Sequence, residues 1–289
     1  MNNNIVKNNI IRDWCGDNVD KFSRNNRVSA ITKILVENPN KVINLNTFTE
    51  MLNAAKSTIS EDIVMIKQSF SALNIGSVET IAGAAGGVKY VVGVGEEECK
   101  KFAAELCEAM SDNSRIIPGN FIYMTDIMYN PQVIQKAGAI LASQFKDLPL
   151  DYVVTVETKG IPLAYEVAKN LAVQLVIVRR DNKVTEGPTV TINYVTGSSG
   201  RIQNMSLAKR SIKKGSNCIF IDDFMKAGGT ALGILELLKE FESQLVGIGV
   251  LVDNVDTPKK LVRDYMAIID YCGINNEGKA VFSPSRFYK

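Results

Sequence analysis

The chain has 289 residues, 46% of them hydrophobic and 22% charged, with a net charge of +2. That leaves room for one large domain or for a small one beside a large one, with an ordinary core, and it is not the composition of a disordered or collagen-like chain. The sequence contains no histidine, which excludes Ser-His-Asp and Cys-His catalysis and the common His-containing zinc sites. No apolar run reaches the roughly 18 residues of a membrane helix. The N-terminus lacks the basic, apolar, small-residue order of a signal peptide, so a cytoplasmic protein without a membrane partner is expected. The five scattered cysteines form no CxxC pair and fit reduced thiols. Cys99 and Cys107 fall on one helical segment and are expected to be buried.

Residues 1–20 are Asn-rich with little periodicity, as in a loosely ordered arm. Residues 21–93 read as a small module. Val28, Ile31 and Leu35 share one face of a first helix, which should stop near Asn38-Pro39. Leu45, Phe48 and Leu52 mark a second, with Thr47 and Glu50 spaced as a capping box. Ile59, Ile63, Ile66, Phe70 and Leu73 run as one stripe along a third, with Ser57 or Thr58 as its cap. Ser77–Ile81 and Val88–Val92 flank the Gly-rich run Ala82–Gly87 and read as a hairpin. Three helices and a hairpin make a winged helix-turn-helix. Residues 21–92 hold eight Lys/Arg against five Asp/Glu, an excess that permits nucleic-acid binding. In such a module the second helix of the helix-turn-helix presents its first residues to the major groove. Here those are Lys56, Ser57, Thr58, Ser60 and Glu61. Arg24, Arg27 and Lys89 are candidate phosphate contacts. A solvated surface is the competing reading for each charge, and a three-helix interaction domain the competing reading for the whole.

From residue 94 to 289 short apolar runs alternate with helical ones. Tyr152–Glu157, Leu175–Arg179, Ile219–Asp222, Val246–Val252 and Ile268–Cys272 read as strands, with helices near Pro162–Leu171 and Gly229–Phe241. That alternation predicts an α/β domain with a mostly parallel sheet covered on both faces. Residues 182–215 interrupt it with a long polar stretch, which reads as a functional flap.

The run Ile221-Asp222-Asp223-Phe224-Met225-Lys226-Ala227-Gly228-Gly229-Thr230 carries the chemistry. An apolar strand ends in two carboxylates, a glycine turn follows, and Thr230 opens a helix. The glycines let the backbone approach an anion, and the free N–H groups of the helix start favour phosphate. Carboxylates at the carboxyl end of a sheet strand can accept vicinal ribose hydroxyls. Together these features predict a ribose 5-phosphate site.

This run resembles the phosphoribosyl pyrophosphate (PRPP) motif of type I phosphoribosyltransferases. Four further segments, Ala82–Tyr90, Thr158–Tyr165, Val178–Gly187 and Arg201–Arg210, resemble the purine operon repressors of Gram-positive bacteria, over roughly residues 21–275. The chain departs from that family at Ala82, where proline is expected, and in its first 20 residues. The resemblance implies a winged helix DNA-binding domain (21–93) and a phosphoribosyltransferase-like effector domain (94–289). It implies a homodimer on operator DNA of purine genes, with PRPP relieving repression and guanosine tetraphosphate (ppGpp) favouring it through a shared pocket. It carries Asp222, Asp223, Phe224, Lys226, Ala227, Gly228, Gly229 and Thr230 onto the ribose-phosphate loop. Thr158, Lys159 and Gly160 fall on the pyrophosphate loop. Arg179 and Lys183 are candidates to face the anion, and Phe121 and Tyr123 to lie near the base. No cofactor is obligatory, and Mg2+ is expected only alongside bound PRPP. An active purine phosphoribosyltransferase remains the alternative, since sensor and enzyme share the loop. An RNA-binding attenuator of this fold would lack the winged helix.

Overall fold

The computed structural model describes residues 21–83, 85–119, 121–181, 187–195, 202–257 and 259–286. The chain divides into two compact units, Met1–Gly93 and Val94–Lys289. The Asn-rich residues 1–20 and Lys183 lie outside the described residues.

In the first unit α1 (Arg24–Glu37), α2 (Leu45–Leu52) and α3 (Lys56–Leu73) are followed by the hairpin β1 (Ser77–Ile81) and β2 (Gly87–Val91). Ile31, Leu35, Phe48, Leu52, Ile59, Ile63, Ile66, Phe70, Val78 and Val88 form one core. Ile43, ahead of α2, bridges to Val88 and adds a third short strand to the wing. This is a winged helix-turn-helix. Three local expectations are corrected. Asn44, not Thr47, caps α2 by accepting the Asn46 N–H, because the helix starts at Leu45 and Thr47 lies inside it. Ser57 and Thr58 lie within α3, whose N-cap is Ala55 without a side-chain bond. Leu73 is 67% exposed, because the last turn of α3 runs past the core.

The carboxylate of Asp62, on α3, is fully buried. It accepts Arg27 Nε at 2.7 Å and Arg24 Nε at 3.4 Å, and Arg27 also donates to the Phe22 carbonyl at 2.8 Å. Arg27 is only 12% exposed. The expected phosphate contact at Arg27 is therefore revised: its guanidinium neutralises a buried acid and ties α1 to α3.

The second unit contains α4 (Glu96–Met110), α5 (Thr125–Met128), α6 (Pro131–Phe145), α7 (Ile161–Leu171) and α8 (Gly229–Glu240). Its strands are β3 (Ile116–Ile117), β4 (Phe121–Ile122), β5 (Tyr152–Val156), β6 (Gln174–Val178), β7 (Thr189–Val195), β8 (Ile202–Ala208), β9 (Asn217–Met225), β10 (Gln244–Asn254), β11 (Met266–Ile274) and β12 (Ala280–Pro284). Six of them form a sheet in the order β12-β11-β10-β9-β5-β6. All its pairings are parallel except that of β12. Every residue of β5 is buried, as in a strand covered on both faces.

Alternation along β9 sorts its side chains. Cys218 and Phe220 join the α8 core, while Ile219 and Ile221 face Phe145 of α6 across Gly247 and Gly249. Cys99 and Cys107 are buried, and burial pushes the Cys107 thiol up to about 12. Within the polar stretch 182–215, β7 and β8 pair as a hairpin from Thr189↔Ala208 to Val195↔Ile202. Tyr194, Met205 and Leu207 sit in the α8 core, with Ile192 packed against it, while Thr191 and Asn193 are exposed. The outward polar residues hid a period-2 pattern.

Arg27→Met would leave Asp62 buried with only a long contact to Arg24. Chemical denaturation of the full chain followed by circular dichroism should show a loss of about 3–5 kcal/mol in the transition of the first unit. Lys33→Ala, at the exposed Lys33–Glu37 pair, should cost less than about 1 kcal/mol.

Candidate functional site

β9 leads through α8 to β10 on one side, and β5 leads through α7 to β6 on the other. The strand order therefore reverses between β5 and β9, and a crevice opens beyond their carboxyl ends, where open α/β sheets bind ligands. A cavity of ≈ 210 Å³ lies there. Asp222, Phe224, Lys226, Ala227, Gly228, Gly229 and Thr230 line it, with Arg180, Tyr194 and Gln203.

β9 runs on to Met225, so the acids lie within the strand rather than at its end. Gly228 has φ +85° and is the N-cap of α8, a left-handed turn that favours glycine. The cap makes no side-chain bond, which leaves the first N–H groups of α8 available to an anion.

Asp222 lines the cavity and Asp223 does not; its N–H donates to Asp222 Oδ1 at 2.9 Å. Desolvation, and then the charge of Asp223, hold the Asp222 carboxyl well above its ordinary range. The loop after β5 closes on this acid. A Cβ at Gly160 would stand 2.7 Å from Asp222 Oδ1 and 2.8 Å from Thr155 Oγ1, so only glycine permits the approach. Thr158 and Lys159 are exposed on the same loop. Thr155 Oγ1 is buried and has no hydrogen-bond partner among the described residues.

Three sequence expectations fall elsewhere. Arg179 turns to Glu157 Oε2 at 3.0 Å and bridges to Ser206 on β8. Glu157 Oε1 accepts the Arg180 N–H at 2.8 Å, and it is Arg180 that reaches the cavity. Successive side chains at a strand end point to opposite sides, which separates Arg179 from Arg180. Phe121 and Tyr123 are 62% and 45% exposed and are not among the residues lining the cavity.

The flap supplies two residues that sequence reasoning missed. Tyr194 donates to Gln203 Oε1 at 2.9 Å, and both line the cavity with Thr230 of α8. Burial pushes its phenol above the ordinary value. The signal was available: Val190, Ile192 and Tyr194 alternate along β7, opposite Leu207, Met205 and Gln203 of β8.

In the first unit Lys56, Ser57 and Ser60 are exposed at the start of α3 and Thr58 is half-buried. Arg24 is half-exposed and paired with Glu61 at 3.3 Å. Lys89 sits within β2 opposite Glu79 and bonds both Glu79 and Asn40.

Residues 23–92 match the family model described as bacterial purine repressor, N-terminal, and residues 124–282 match that of the phosphoribosyl transferase domain. The chain is 49% identical over 261 residues to the purine biosynthesis transcriptional repressor of Bacillus subtilis (strain 168), covering 90% of this chain and 92% of that one. The chain belongs to the bacterial purine repressor family. A purine biosynthesis transcriptional activator of Lactococcus lactis subsp. lactis (strain IL1403) is 42% identical over 248 residues, 86% of this chain and 92% of that one. The second unit of this family member has the fold of adenine phosphoribosyltransferase from Giardia lamblia, with TM-score 0.51, 20% identity, and coverage of 58% of this chain and 97% of that one. Among the described residues no helix is long and apolar enough to cross a membrane.

An acid with a raised folded pKa keeps its proton longer folded than unfolded. Its contribution to stability therefore falls as pH rises from its ordinary 3.8 toward the raised value. Asp222→Asn removes that fall. Thermal unfolding across pH should give the variant a higher Tm at neutral pH, with the gain gone by about pH 4. An equal Tm at neutral pH would show that the buried carboxyl carries no such penalty.

Proposed function

We propose that the chain is a transcriptional regulator of purine biosynthesis genes that represses them as a homodimer bound to an inverted-repeat operator. PRPP relieves repression, and ppGpp occupies the same pocket and favours it. One observation carries this reading: a single chain joins a winged helix to a crevice with an acid for ribose hydroxyls and an N–H-rich loop for phosphate. The 49% identity to a named repressor supports the purine assignment. The fold does not set the sign of regulation, since an activator is also similar.

In this reading the ribose 5-phosphate lies on Lys226–Thr230 and the hydroxyls on Asp222 and Asp223. The diphosphate faces Thr158–Gly160 and Arg180, whose guanidinium gives it a fixed cation. Mg2+ enters with the diphosphate. Among the described residues no group of three or more His, Cys, Asp or Glu side chains could hold a metal. At the operator, the uncapped start of α3 with Lys56, Ser57, Thr58 and Ser60 meets phosphates and base edges. PRPP can release DNA only by binding the DNA-free form better. The unit acts as a sensor rather than an enzyme.

Operator binding by the wild type and by Asp222→Ala/Asp223→Ala, titrated with PRPP and separately with ppGpp, tests the reading. PRPP should release the wild type and leave the double variant bound. No binding to a purine-gene operator at low salt would overturn the DNA assignment. Pyrophosphate released from PRPP in the presence of a purine base would overturn the sensor assignment. Lys56→Ala should weaken binding across sequences and reduce the salt slope by about 1.

A further inference from the structure

Behind the phosphate loop lies a segment that the effector reading leaves unused. Lys260 Nζ shares its donors among four acceptors: the carbonyls of Met225 at 3.3 Å, Lys226 at 2.6 Å and Asn254 at 2.7 Å, and Asp253 Oδ1 at 2.5 Å. Asp253 is itself buried, and its other oxygen accepts the Tyr265 hydroxyl at 2.8 Å. The next residue, Leu261, donates its N–H to the Ala227 carbonyl at 2.8 Å. Val262 follows, close enough that a Cβ on Gly228 would stand 3.0 Å from its Cγ2.

Three consecutive loop carbonyls, those of Met225, Lys226 and Ala227, thus point at residues 260 and 261. Across a planar trans peptide the C=O and the N–H point in opposite directions. The N–H groups of Lys226, Ala227 and Gly228 are therefore turned the other way, and all three residues line the cavity. Successive N–H groups facing one side form a concave anion site. The free N–H groups at the start of α8 extend it.

We infer that Lys260 is a positioning residue: by holding the carbonyls of the loop from behind, it presents the N–H groups to the phosphate of the effector. The inference rests on the effector reading for its ligand but not for the loop order it predicts. Lys260 does not line the cavity. Its side chain is 17% exposed, and its charge is spent on carbonyls and on Asp253. The arrangement pre-forms the anion site before ligand arrives, so little order has to be gained on binding.

The test uses the full-length protein with Lys260→Met and with Lys260→Met/Asp253→Asn. The second variant avoids stranding a buried carboxylate, which by itself can unfold the unit. Hydrogen exchange is measured without ligand, and PRPP affinity by calorimetry. Exchange at residues 226–231 should rise about tenfold while that of β9 and β10 upstream of the loop stays unchanged. PRPP should bind about tenfold more weakly, with operator affinity in the absence of effector within about twofold of wild type. Wild-type exchange and PRPP affinity in the double variant would overturn the inference. Faster exchange throughout β9 and β10 would also overturn it, by making Lys260 a general stabiliser. If the wild type binds no PRPP, the effector reading fails, and the exchange result alone decides the role of Lys260.

Discussion

β5 and β9 pair from Tyr152↔Cys218 to Val154↔Phe220, and beyond that register the chain leaves them in opposite directions. The loop after β5 returns through α7 to β6, and the loop after β9 passes through α8 to β10. Neither returning helix fills the gap above the two strand ends, so the gap is available to a ligand. Gly160 and Asp222 meet across it at a distance that a single methyl group would block. The flap hairpin packs on α8, Glu157 orients Arg180, and residues 260–262 back the phosphate loop. Each of these features is placed relative to that one parting of two strands.

The chemistry of the crevice is a balance of opposite charges at close quarters. Asp222 is held where its carboxylate is disfavoured, with Asp223 adjacent and Arg180 partly compensating. A protein selected for stability alone would replace that acid. Retaining it makes sense where ribose hydroxyls or a cationic complement arrive with the ligand. The winged unit shows the contrasting arrangement. There Asp62 is buried but fully paired, and its work is to set the angle between two helices.

Much of this was legible in the sequence because the relevant signals are local. The stripe Ile59, Ile63, Ile66 and Phe70 specifies α3, and the glycine run Ala82–Gly87 specifies the wing turn. The strand, acids and glycines from Cys218 to Thr230 specify the end of β9, the left-handed turn at Gly228 and the start of α8. What was not legible depends on which side a chain end turns. Arg179 and Arg180 differ by one position, and Glu157, more than 20 residues away, decides which of them faces the cavity. Arg27 looks like a free surface cation until Asp62 is brought against it. Lys260 sits in an unremarkable polar loop, and its importance comes only from three carbonyls that lie 34 or 35 residues back or on the neighbouring strand. The cap of α2 was misread because Asn44 and Thr47 are both good caps, and the choice between them is made where Ile43 pairs with Val88.

The strand order also governs when each part can exist. The winged unit is complete by Gly93, and all of its internal contacts lie within the first third of the chain. The pairing of β5 with β9 cannot form until Cys218 and the residues after it have been made, and domains fold in order as the chain is synthesised. A nascent chain therefore passes through an interval in which its winged unit is finished and the crevice of its second unit has not yet formed.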